Sequence, residues 1–358
     1  MEIPNYEQTS SNKVICCKSG ADPLVCGWPP GQPAQALNKI PKLRNLVLLL
    51  LSITLAIAAT RLSRMEQVMG PLPHIDHRAP LDIKVLEEVR TPKWIRRKIT
   101  YLSLNNGPKK NDRVPAYLFL PLGFKGKSPA MLCLHQTTKL GKSEPAGFGP
   151  KPNLHYALEL AERGYVTIAP DYPNFGDYKL DVYASGYASA TMKGIVNHMR
   201  AVDLLQSLPE VDPNRIGVVG HSLGGHNSLF VAAFDKRIKV VVTSCGFNSF
   251  FKYMNGNIKG WSHNGYMPRI ATLFDANPAK MPFDFPDVLA EIAPRAVFIN
   301  APVDDANFEV SGVYDCLRAV EKKFPKGKLF AIHPGGGHDF LPEVREKAWA
   351  FVDQQLRK

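Results

Sequence analysis

The chain has 358 residues, 45% of them apolar and 9% aromatic, enough to bury the core of one large domain or two. That composition excludes a protein disordered throughout for want of hydrophobic residues. The formal charge of +12 is concentrated in two places: residues 1–64 carry seven basic against three acidic side chains, and eight basic residues crowd into Arg90–Arg113. The second stretch reads as two strands with charged outward positions and a turn. A nucleic-acid footprint needs basic residues gathered on one face with aromatics between them, so no nucleic-acid partner is expected. Cys16, Cys17 and Cys26 lie in the amino-terminal tail, and Cys133, Cys245 and Cys316 in apolar patterns. None has the spacing of a zinc or redox site, so no metal is expected.

The tail is rich in Pro, Gly and Ser without periodicity and reads as disordered. Residues 46–59 are apolar apart from Ser52 and Thr54, follow Lys39, Lys42 and Arg44, and contain Ala56-Ile57-Ala58. A basic flank, a short apolar run and an A-x-A site fit a secretory signal cleaved after Ala58. Fourteen residues are short for a bilayer span, which takes about 20. The 45 residues ahead of the run do not fit a signal peptide, so either translation starts downstream or the run is an uncleaved anchor. The expectation is an exported protein or one tethered to a membrane through 46–59, with a catalytic domain over 65–358.

From Lys93 onward strands and helices alternate, the pattern of a mainly parallel sheet covered on both faces. Ile95–Leu104 and Val114–Leu120 flank the Asn105–Pro108 turn as a hairpin. Ala130–Leu134 is a buried strand ending at His135-Gln136-Thr137-Thr138. Helix Leu154–Arg163 stops at Gly164, and strand Tyr165–Ala169 and helix Thr191–Leu208 follow. Strand Arg215–Val219 runs into helix Leu223–Phe234, and Ile238–Cys245 is the sixth strand. Gly246–Pro286 breaks the alternation: about 40 residues of Gly, Asn, Pro and aromatics, longer than an ordinary connection. It reads as a lid-like insertion over the strand ends, where such sheets bind ligands. Helix Asp287–Ile292, strand Ala296–Asn300, helix Val310–Phe324, strand Lys328–Ile332 and helix Pro342–Leu356 complete eight strands.

Between the fifth strand and its helix stands Gly220-His221-Ser222-Leu223-Gly224. Strand, tight turn and helix are the context that makes G-x-S-x-G a nucleophile elbow. Serine at its free pKa needs a base, and the base an orienting acid, here in the order Ser, Asp/Glu, His. After Ala296–Asn300 come Asp304 and Asp305. Counting from the strand favours Asp305 as the acid, with Asp304 the alternative. After the last strand His338 lies in a glycine-rich loop and is the candidate base, while His333 and His221 read as structural. The tetrahedral intermediate needs two backbone donors. One is the Leu223 amide; the other is the amide of Gln136 or of Thr137.

The span from about Pro80 to Lys358 resembles the α/β-hydrolase superfamily, and more narrowly acetyl xylan esterase-like and dienelactone hydrolase-like proteins. The resemblance rests on Arg113–Leu118, Leu134–Thr138, Gly164-Tyr165-Val166, the GHSLGG elbow, Pro294–Ile299 and Gly337-His338-Asp339-Phe340. It implies a serine esterase acting through an acyl-enzyme, without metal or organic cofactor. Dienelactone hydrolases carry a cysteine at the elbow, and Ser222 argues against that activity. Gln136 stands where many relatives have glycine.

Trp261, Tyr266, Met267 and Arg269 cluster in the insertion. Aromatic faces suit sugar rings or an aryl acyl group, and an arginine suits a uronate carboxylate. A lid with its own small hydrophobic core is the alternative. The expected substrate is a small-molecule or polysaccharide ester with a short, acetyl-type acyl group. A prolyl oligopeptidase-like peptidase and a non-catalytic binding protein on the same fold are the rival readings.

Overall fold

A computed structural model describes residues 61–104 and 111–357. The apolar run 46–59 and the expected turn at 105–108 lie outside them. Among the described residues no helix is long and apolar enough to cross a membrane. Helix α1 covers residues 61–69 and buries Met65, Val68 and Met69, at the three- and four-residue spacing of a helix face. Arg64 pairs with Asp287 at 2.7 Å, and Arg61 lies 3.9 Å from Glu291. Residues 61–64, assigned to the tail on sequence, therefore pack as part of the folded unit.

The sheet has nine strands, not eight, in the order β1-β2-β3-β5-β4-β6-β7-β8-β9. They are β1 (Lys84–Arg90), β2 (Trp94–Leu102), β3 (Arg113–Pro121), β4 (Ser128–Leu134), β5 (Val166–Pro170), β6 (Val211–His221), β7 (Ile238–Ser244), β8 (Ala296–Asn300) and β9 (Leu329–Ile332). The strand missing from the sequence reading is β1. It is an edge strand exposed along nearly its whole length, so no burial rhythm marks it. Its glutamates instead face the basic stretch: Glu87 pairs with Arg96 at 3.1 Å and Glu88 with Arg97 at 2.7 Å. The extra strand also places the insertion after the seventh strand rather than the sixth.

Pairing is antiparallel from β1 through β5 along the β3 edge and parallel from there on. Side chains of the central strands alternate between two cores. Ala130, Leu132, Ile216, Val218, Val241, Val297 and Ile299 join one; Met131, Cys133, Val219, Val240, Val242 and Phe298 join the other. The first core is covered by α1, α3 (Ala190–Ser207), α4 (Leu223–Phe234), α6 (Phe285–Ile292) and α7 (Val310–Val320). The second is covered by α2 (Tyr156–Glu162) and α8 (Pro342–Leu356). Strands buried on both faces read as unbroken apolar runs, which is why they were recognisable.

Register lines up the carboxyl ends of the parallel strands. Leu134 pairs with Gly220, His221 with Ser244, Ser244 with Asn300, and Asn300 with Ile332. The loops that leave β4, β6, β7, β8 and β9 thus start from one row. The chain leaves β4 for β5 on one side and returns to β6 on the other, so the β4 and β6 loops diverge at a topological switch point, where open α/β sheets bind ligands.

Candidate active site

At the end of β6 the chain turns within one residue into α4. Ser222 sits at φ 54° and ψ −117°, a left-handed conformation that a non-glycine residue adopts only when its surroundings compel it. Two glycines supply the compulsion. A Cβ on Gly220 would overlap the Gly224 carbonyl, and one on Gly224 would overlap the carbonyl oxygen of Leu134. The Ser222 amide donates to the Ser244 carbonyl at 2.8 Å, fixing the turn to β7. Leu223 opens α4, so its N–H belongs to the first-turn amides that lack an intrahelical acceptor and carry the positive end of the helix dipole.

From the ends of β8 and β9 come the candidate acid and base, Asp305 and His338. Asp305 is 4% exposed, and its two oxygens lie 3.0 and 2.9 Å from Nδ1 of His338. Oδ1 also accepts from the amides of Asn307 and Phe308. Burial alone would push this carboxyl up. The His338 hydrogen bond and charge and the two amides outweigh it, holding Asp305 below the usual range and therefore ionised. A carboxylate facing Nδ1 fixes the tautomer that leaves Nε2 free to accept a proton. Asp304, the alternative acid, points away: it is exposed and accepts from the Gly336 amide at 3.1 Å, bracing the loop that carries His338.

His333 is bonded through Nδ1 to the Ala301 carbonyl at 3.0 Å, and His221 to the Ser244 hydroxyl at 2.9 Å, in keeping with structural roles. His221 is buried beneath His338, ring centroids 4.7 Å apart. The ligand atoms of His221, Cys245 and His338 lie within 4.8 Å of one another. Each also has a protein partner: His338 faces Asp305, His221 the Ser244 hydroxyl, and burial and Asp305 push the Cys245 thiol up.

The loop after β4 is held from beneath. Lys142 is buried with its Nζ 2.8 Å from both Asp171 and Asp177, and its amide donates to Asp171 at 2.7 Å. Gly141 is left-handed, and a Cβ there would overlap the Asp171 carboxylate. The Tyr172 amide donates to Nε2 of His135 at 2.9 Å, so Nδ1 carries the hydrogen and donates to the Gln136 carbonyl at 2.6 Å. Gln136 turns its side-chain amide to Glu144 at 2.9 Å. Thr137 stays exposed at the rim, where its hydroxyl and that of Tyr266 share a hydrogen bond of 2.8 Å.

These loops enclose a cavity of about 290 Å³ lined by Ser222, His338, Gln136 and Thr137, by Asn307 and Phe308, and by His226, Tyr253, Gly260, Trp261 and Tyr266. The structure thus brings together the proposed nucleophile, acid–base pair and oxyanion loop, and sets Trp261 and Tyr266 of the insertion against them. Arg269 is not there: its guanidinium donates to the Gln67 carbonyl at 3.2 Å, tying α5 (Arg269–Thr272) to α1, and among the described residues no Lys or Arg lines the cavity. The uronate clamp read from sequence therefore does not exist at the site. Trp261 serves two ends, lining the cavity while packing on Phe250, Phe285, Tyr253 and Phe308, and the buried residues of the insertion join the main core rather than forming a separate one. His226 escaped the sequence reading. Its position four residues after Ser222 on a helix puts both on one face, which was the available signal.

A family model described as "Glucuronyl esterase, fungi" matches residues 178–326, a span that holds Ser222 and Asp305 and ends before His338. The putative hydrolase YtaP of Bacillus subtilis (strain 168) is 28% identical over 84% of this chain and 96% of its own length. Among solved structures, the glucuronoyl esterase from Solibacter usitatus superposes with a TM-score of 0.66 at 16% identity, over 83% of this chain and 92% of its own. Acetyl xylan esterase 1 from Thermoanaerobacterium sp. JW/SL YS485 gives 0.57 at 17%, over 84% and 93%. Identities this low speak for the fold. The sheet order, the nucleophile elbow and these neighbours show that the chain has the α/β-hydrolase fold.

Proposed function

We propose that this chain is a serine esterase that cleaves short acyl or uronoyl esters carried on a carbohydrate, with Ser222 as nucleophile, His338 as base and Asp305 as its orienting acid. The single observation that carries this reading is the ionised Asp305 held on His338 Nδ1 beside Ser222 at the mouth of one aromatic-lined cavity. Nε2 of His338 takes the Ser222 proton as Oγ attacks the ester carbon. The Leu223 amide and an amide of the Gln136–Thr137 loop receive the oxyanion. The alcohol leaves with the proton returned by His338, and water attacks the acyl-enzyme by the same route. A wall of aromatic rings without a cation suits a neutral ester beside sugar rings. The glucuronyl esterase family match and the acetyl xylan esterase neighbour support a carbohydrate ester. The export reading of 46–59 places the substrate outside the cytoplasm.

Two measurements test this. A fluorophosphonate probe should label the wild-type chain and not Ser222→Ala. An ester panel should show turnover of 4-nitrophenyl acetate, acetylated xylan fragments or a glucuronate ester. Preference for long-chain lipid esters would reject the reading.

A further inference from the structure

Two polar side chains in the cavity wall are poorly satisfied: the His226 ring faces only the Gly246 carbonyl, short of a full hydrogen bond, and Trp261 Nε1 has no hydrogen-bond partner. They are 4% and 3% exposed. An unpaired polar group in a protein interior costs about 1–3 kcal/mol. Two of them side by side next to a nucleophile call for a reason, and a bound water or a ligand group that takes its place supplies one.

Their placement fits that reason. His226 lies one turn beyond Ser222 on α4, its amide bonded to the Ser222 carbonyl at 3.2 Å. Its ring meets Trp261 edge-on at 4.8 Å and Tyr266 at 5.7 Å. Burial drives the imidazole down to about 3, a shift the nearby Gly246 carbonyl only partly opposes, so the ring is neutral at ordinary pH. With its N–H turned to the Gly246 carbonyl, the neutral imidazole leaves a lone pair as acceptor, and the indole of Trp261 offers a donor. That combination complements hydroxyl groups, which both give and accept. It does not complement a carboxylate or phosphate, for which the cavity supplies no cation.

We propose that His226 and Trp261 form a hydroxyl-recognition subsite that selects the sugar portion of the ester, an inference that rests on the carbohydrate-ester reading above. These nitrogens are shielded from solvent, so the rings must move for a ligand to reach them.

The test compares benzyl D-glucuronate with 4-nitrophenyl acetate, which has no hydroxyl group. Trp261→Phe keeps an aromatic ring and removes the N–H; His226→Leu removes both polar atoms; His226→Gln keeps a donor and an acceptor. For Trp261→Phe and His226→Leu, kcat/KM on the sugar ester should fall about five- to tenfold further than on 4-nitrophenyl acetate, mostly through KM. His226→Gln should recover most of the difference. Equal losses on both substrates, or no extra loss on the sugar ester, overturn the subsite. Should His226→Leu fail to fold, the other two variants decide. A wild-type chain that hydrolyses 4-nitrophenyl acetate but no sugar ester defeats the carbohydrate reading instead. Calorimetry of methyl β-D-xyloside on Ser222→Ala then decides the subsite: binding weakened by Trp261→Phe supports it, while unchanged or absent binding overturns it.

Discussion

The rim of the sheet around Ser222 and the insertion over 246–286 face each other across one cavity, yet they are specified in different ways. At the rim, backbone presses on backbone: Gly220 against Gly224, Gly224 against Leu134, Gly225 against Gly246. In the insertion, short helical turns such as Ile258–Trp261 are held by side chains, with Trp261 among six other rings and Tyr266 bonded to Thr137. Backbone contact leaves almost no choice of residue, so it writes a motif into the sequence. Side-chain packing admits many solutions and writes none. On the reading proposed above, the reacting groups sit on the part that cannot vary, while Trp261 of the subsite sits on the part that can.

The sharpest way to probe the contrast is at the reacting groups. Ser222→Ala or His338→Ala should lower kcat by about four orders of magnitude or more while leaving the melting temperature nearly unchanged, as thermal unfolding followed by circular dichroism would show. Asp305→Asn should cost about 10³–10⁴ in kcat, because the amide favours the wrong histidine tautomer. Asp304→Asn keeps a carbonyl oxygen to accept from the Gly336 amide and should cost less than tenfold; the reverse ranking would move the acid. Gly224→Ala attacks the rim itself: its methyl overlaps the Leu134 carbonyl, and a loss of stability of about 3 kcal/mol or more is expected in urea melts. Gly335→Ala meets nothing within 4 Å and should stay within about 0.5 kcal/mol. On the insertion side, Tyr266→Phe breaks the bond to Thr137 and should cost about two- to fivefold in kcat/KM, with kcat falling more than KM rises if the bond positions the oxyanion loop.

Acid should expose a different asymmetry. His198 and His226 are pulled down to about 3 by burial, and burial also lowers His135 and His221. In the unfolded chain these rings protonate near 6.5. Below that pH the unfolded state binds protons that the folded state refuses, so stability falls as pH falls. Each ring withdraws up to about 1.4 kcal/mol per pH unit, down to about pH 3 for His198 and His226. Asp305 acts in the same sense at lower pH: its depressed folded pKa stabilises the protein above the unfolded value, and that contribution is lost as the carboxylate is protonated. Urea midpoints measured from pH 7 to pH 4 should therefore drop steadily, and His198→Phe should flatten the slope.

What was legible follows the same division. Helices α4 and α8 have the bounds expected from their apolar spacing and their glycine or proline starts. The buried parallel strands were plain because both faces are apolar. Strand β1 was invisible because its partners are charges on β2 rather than a core. Helix α6 starts two residues earlier than expected because Asp284 caps it in a capping box, a contact made with Asp287. In the insertion, nearness in sequence misled: Trp261 and Tyr266 line the cavity, whereas Arg269, three residues past Tyr266, faces α1. A short turn redirects side chains in ways that composition does not encode. The buried Lys142–Asp171–Asp177 cluster under the oxyanion loop was equally hidden, since its members are paired only in three dimensions.

The row of strand ends also governs when the enzyme can first work. The Thr137–Tyr266 bond alone spans 129 positions of chain, and the base arrives only with the final strand. Contacts so distant in sequence reward the chain late, after most of its loop-closure entropy has been lost. A refolding molecule rich in helix but lacking β9 holds a serine with nothing to activate it. Recovered turnover should lag the far-ultraviolet signal and coincide with the docking of the last strand, which makes hydrolysis a clock for the completion of the whole sheet.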